Sequence, residues 1–124
     1  MVVRMEQEEV IVKITTYELV GYTTVTTWYG ERGFVKLRIF TDDKGIEEIK
    51  KDPLQDYIFF GVKEVNYAYF EVYETKTRIT KDKIIDIHSR RPAFVVEAGK
   101  CDLNEQEEEQ LANSEETVVQ YPKN

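Results

Sequence analysis

The chain of 124 residues has 24 acidic and 17 basic side chains, a formal net charge of −7, with 41% hydrophobic and 33% charged residues. That is the length of one domain, with enough apolar material to fold rather than stay disordered. The acidic total speaks against a general nucleic-acid binder, the single cysteine (Cys101) excludes an intramolecular disulfide, and no apolar run approaches the roughly 18 residues of a membrane helix.

Glu6, Glu8 and Glu9 stand where a secretion signal would be apolar, so a cytoplasmic protein is expected. Val10, Val12 and Ile14 alternate with Ile11, Lys13 and Thr15, the period of a strand near residues 8–16. A second strand is expected over 17–29, rich in Thr, Tyr and Val, with Gly21 marking a bulge or bend. Gly30-Glu31-Arg32-Gly33 reads as a tight turn into a strand at 34–40, making a hairpin. In that strand Val35, Leu37 and Ile39 share one face while Lys36 and Arg38 share the other.

Residues 41–45 have turn chemistry, and 46–51 have helical spacing that Asp52-Pro53 stops. Strand character resumes at 57–63 and again in a long alternating run over 65–79. Its odd face carries Val65, Tyr67, Tyr69, Tyr73 and Ile79; its even face carries Ala68, Phe70 and Val72. After a turn at 80–83, strands are expected at 84–88 and 93–98, separated by the break Ser89-Arg90-Arg91-Pro92.

Past Gly99 the composition changes. Residues 102–113 suggest a polar helix with Asp102 as N-cap and Glu105 at the capping-box spacing. Its thin apolar stripe must dock to be stable. Leu103 and Leu111, with Val118, Val119 and Tyr121 of the following apolar clasp, are the expected anchors. The fold class expected is α+β and predominantly antiparallel β: six or seven strands in a sandwich or partly open barrel, with one or two short helices. Residues 1–101 make the β-rich body and 102–124 an acidic segment packing on that body or on a partner subunit. Strands this long are expected to bend or to extend beyond the core as arms.

Signatures of chemistry are sparse. His88 is the single histidine, and with Asp86 on the same side of a strand it could begin an acid–base pair, but a metal site needs further ligands. Cys101 precedes a helix start without an adjacent base. Asp42-Asp43 ahead of Gly45 lacks the two-residue spacing of a calcium loop, with Phe40 and Lys44 in the required places. We assign no catalytic, cofactor-binding or metal-ligating residue and expect no cofactor and no enzyme activity.

Two surfaces remain. Tyr67, Tyr69 and Tyr73 form a ladder that either covers the core face with hydroxyls at its rim or makes an interface. Lys76, Arg78, Lys81, Lys83, Arg90 and Arg91 make a basic stretch that suits a solvated edge, an acidic protein segment or phosphates. The leading expectation is a small non-catalytic protein-interaction or accessory protein, homodimeric, of the kind that phages and archaeal viruses carry. The alternative is a nucleic-acid-binding protein using the 76–91 hairpin, with the acidic tail modulating it; a third is a small enzyme built on His88 and Asp86. Seven acids and one lysine fall in residues 102–124, leaving the first 101 residues with 17 acids and 16 bases. The excess charge therefore belongs to the tail, which is expected to lie against the 76–91 surface, in its own chain or a partner's.

Overall fold

Thr, Val and Tyr dominate residues 11–26, and with no turn-forming pair among them the chain stays extended throughout: β1 (Ile11–Thr26) is a single strand where two were expected, near 8–16 and 17–29. The computed structural model describes residues 11–57, 62–80, 83–87 and 89–122. The start of the first expected strand, most of the one at 57–63, Lys81 and His88 lie outside the described residues. Tyr57 and residues 62 and 63, which are described, are not in a strand.

β1 turns back through residues 27–31 into β2 (Arg32–Asp42). The Thr27 N–H donates to the Glu31 carbonyl at 2.8 Å and Gly30 sits at φ +79°, the left-handed region where glycine is least strained. The turn therefore precedes the expected Gly30–Gly33 position, and Gly33 is already in β2, paired with Val25. α1 (Asp43–Lys51) follows at once, three residues earlier than its apolar spacing implies. The Asp42 side chain accepts from the Gly45 N–H at 2.8 Å, so the acid expected in a turn is an N-cap.

β3 (Glu64–Thr80) pairs antiparallel with β1 along nearly its whole length, and β4 (Lys83–Ile87) and β5 (Arg91–Gly99) divide its other edge between them. Pro92 is accommodated in β5 because the ladder shifts register between Val72 and Tyr73. α2 (Glu105–Ala112) then crosses to the far side, and β6 (Glu116–Gln120) adds to β2 in parallel. The described strands form one mixed sheet in the order β4-β3-β1-β2-β6, with β5 beside β3. The molecule is a mostly-sheet α+β fold, with two helices among the described residues.

The core lies on one face of that sheet. Leu19, Leu37, Ile39, Ala68, Phe70, Val72 and Val96 are buried there beneath Ile46 and Ile49 of α1, with Tyr57 and Tyr121 closing the side. The even face of β3 is thus the core face, so the ladder of Tyr67, Tyr69 and Tyr73 does not cover this core. Burial of each large side chain contributes about 1.5–3 kcal/mol, which is what holds so short a helix in place. At Gly21 the next strand approaches so closely that a Cβ would lie 1.8 Å from the Tyr69 carbonyl oxygen. The bulge itself comes three residues later, between Thr24 and Val25.

Candidate interaction surface

Among the described residues no helix lies over the middle of the opposite face of the sheet. Register places Thr24, Tyr22, Val20 and Glu18 of β1 beside Phe34, Lys36, Arg38 and Phe40 of β2. On the other side the same residues stand opposite Tyr67, Tyr69, Glu71 and Tyr73 of β3. The Tyr67, Tyr69 and Tyr73 ladder therefore lies on the face away from the core, joined by Tyr22. The Tyr22 ring lies 5.8 Å from that of Tyr67 and 6.1 Å from that of Tyr69. Tyr57 belongs elsewhere: it packs edge-on to Phe70 in the core.

One end of this face is roofed by the segment leading into α2. The Arg32 guanidinium pairs with Asp102 at 2.8 Å and with Glu107 at 3.2 Å, Lys36 donates to the Ala112 carbonyl, and Tyr22 Oη lies 3.9 Å from Cys101 Sγ. Under that roof Tyr67 is only 4% exposed, and its hydroxyl donates to Glu97. Burial, then the Glu97 carboxylate, holds the Tyr67 phenol well above its ordinary pKa. Burial, followed by the contact with Cys101, pushes the Tyr22 phenol up to about 12. Asp102, expected as the N-cap of α2, instead holds Arg32, which keeps its carboxyl below the usual range. The cap is Asn104, and its capping box closes with Glu107 rather than Glu105.

The middle of the face is open and crossed by a chain of charges. Arg38 donates to Glu18 at 2.8 Å and to Glu116 at 2.6 Å, and Arg90 also donates to Glu18 while its guanidinium stacks 3.6 Å from the Tyr73 ring centroid. The Tyr73 hydroxyl donates to Glu71 at 2.9 Å. Around these ion pairs Val118, Val95 and Phe40 are 62%, 54% and 39% exposed.

The structure separates the basic stretch read from sequence. Arg90 serves the open face, whereas Lys76 and Arg78 lie on the core side beyond the core, and Arg91 pairs with Glu74. Lys83 begins β4. Among the described residues the acidic tail does not lie against this stretch within its own chain. It docks on the opposite edge, because β2 offers both a free strand edge and two arginines, Arg32 and Arg38. Of the expected anchors, Leu111 and Tyr121 are buried, Val119 packs on the core and Leu103 is half-buried. Val118 is not an anchor: strand alternation in β6 turns it to the open face.

Sequence reasoning missed Glu18, Val20, Arg38, Glu71 and Val95. Alternation groups 18, 20 and 22 on one face, but only register shows which residues of other strands stand beside them. Among the described residues no cluster of three or more His, Cys, Asp or Glu is placed to hold a metal ion, and no helix is long and apolar enough to cross a membrane. Comparison with known proteins finds no matching family model, no matching curated protein and no matching solved structure.

Proposed function

We propose that the protein is a non-catalytic interaction module that works as a homodimer, two copies meeting through the open face of the sheet. One observation carries this reading. Val95, Glu71, Val20, Arg38 and Val118 stand directly across five strands in a single row. Their order is apolar, acidic, apolar, basic, apolar. Turned over about an axis along β1, that row is complementary to itself: Val20 meets Val20, Glu71 meets Arg38, and Val95 meets Val118. A twofold interface requires one patch to match its own copy in this way.

The neighbouring row supports the same axis, setting Tyr73 against Phe40 across Glu18. Tyrosine and arginine suit such a site, offering large contact area with polar tips. Two sheets packed face to face about 10 Å apart make a sandwich. In this reading the sandwich expected from the strand pattern forms between two copies rather than within one.

Light scattering after size exclusion, with sedimentation across a concentration series, tests the proposal. The parent chain is expected to dimerise. Val95→Lys and Val118→Glu, both at exposed positions, each weaken the dimer about tenfold or more, and the double variant recovers it because each new lysine faces a new glutamate. A strict monomer at about 1 mM, or a Val20→Lys variant that self-associates like the parent, overturns it.

A further inference from the structure

Beyond Tyr17 and Glu74, β1 and β3 continue past the end of the core as a ribbon, with β4 along one side. On its core-side face Lys13 stands directly opposite Arg78 and Thr15 opposite Lys76. These side chains, with Ile14 and Thr77, line an open groove of about 430 Å³. Like charges directly across a strand pair repel and destabilise the sheet, so this placement runs against stability in the isolated chain. Asp86 is in register with Arg78 on β4, while Lys13 and Lys76 have no ion-pair partner among the described residues. Glu74, an acid on the same face, pairs with Arg91 at 3.6 Å.

We propose that this groove binds the phosphate backbone of a nucleic acid without regard to sequence. Among the described residues the lining side chains offer ammonium, guanidinium and hydroxyl donors and no carboxylate. Lys76 and Arg78 are two residues apart on one strand, about 7 Å along it, so the positive charge is spread along the ribbon and suits an extended polyanion better than one small anion. The groove is also open rather than enclosed. Among the described residues no aromatic side chain lines it, so bases have nothing there to stack on and backbone contacts dominate. The chain's own acidic segment is not the occupant within one molecule, since it is held on the opposite edge by Arg32 and Arg38. The net charge of −7 does not oppose this binding locally, because most of the excess lies in that distant segment. The groove is on the face opposite the proposed dimer contact, so either proposal can fail alone.

Fluorescence anisotropy of the full chain with a labelled 20-base-pair duplex at 50 and 200 mM salt is the test. Two phosphate contacts, by Lys13 and Lys76, predict a loss of affinity of about 12-fold between the two conditions. Lys13→Ala and Lys76→Ala should each lower the salt slope by about one, and Lys13→Glu with Lys76→Glu should abolish binding. Lys44→Glu with Lys51→Glu, the same charge change on α1, should leave most of the affinity. Three results overturn the proposal: no binding at 50 mM salt, equal loss in the α1 control, or displacement of the duplex by polyglutamate at equal charge. The last would assign the groove to an acidic protein segment.

Discussion

Glu18 of β1 and Arg38 of β2 lie diagonally across a strand pair on the open face, and Arg38 Nη1 donates to Glu18 Oε2 at 2.8 Å. The same guanidinium reaches Glu116 of β6 through Nε, which, followed by the Glu18 contact, raises its pKa. One residue thus ties the first strand to the last, and through Glu18 it is linked to Arg90.

Arg38→Ala leaves two carboxylates facing each other, with side chains 15% and 25% exposed. The Arg38 side chain is 32% exposed, so screening keeps the loss below that of a fully buried pair. A destabilisation of about 2 kcal/mol is expected in urea denaturation. Arg38→Lys recovers less than half of it, because an ammonium cannot serve both acids in one fixed geometry.

Gly21→Ala is expected to cost about 3 kcal/mol or more. The added methyl would collide with the backbone of Tyr69, which cannot move without breaking the β1–β3 ladder. Thermal unfolding of the variant checks this. A loss under about 1 kcal/mol would show that the strands separate easily at that point.

Stability should fall in alkali between about pH 10 and 12. An unfolded tyrosine loses its proton near pH 10, whereas folded Tyr22 keeps its proton up to about 12. Because the folded pKa is raised, the contribution is complete below pH 10 and is lost as pH rises through the folded value. Denaturant titrations at pH 8, 10 and 11.5 should show the decline, and Tyr22→Phe should make it shallower.

Tyr121 tests whether the last strand is structural. Its ring lies 5.9 Å from that of Tyr57, edge-on, and its hydroxyl donates to Glu48 at 3.2 Å. Tyr121→Ala should cost about 3 kcal/mol through the cavity it leaves, and Tyr121→Phe about 1 kcal/mol through the lost hydrogen bond. Deleting residues 116–124 should therefore destabilise the whole body, as judged by its melting temperature. A solubilising appendage would leave that temperature unchanged.

Local pattern carried much of the fold. The hairpin of β1 and β2, the burial of Leu37 and Ile39, and the grouping of Ala68, Phe70 and Val72 on one face follow from residues two apart sharing a face. Which face of β3 meets the core does not: core cover by Tyr67, Tyr69 and Tyr73 was as open a reading until the sheet closed. Caps were less legible. Asp42 and Asn104 act through bonds to Gly45 and Glu107, and other acids near by had equally suitable spacing until tertiary contacts with Arg32 claimed Asp102.

Composition and alternation by themselves determined that this chain is a mostly-sheet α+β domain with its excess negative charge in the last fifth. Tertiary structure alone decided where that tail docks and what faces what. The row of Val95, Glu71, Val20, Arg38 and Val118 draws one residue from each of five strands, and no short-range signal links positions so far apart in sequence. Likewise Lys13 joins Lys76 and Arg78 only because the β1–β3 register brings them together. Periodicity specifies the face on which a side chain stands; register, set by closure of the whole sheet, specifies its neighbours.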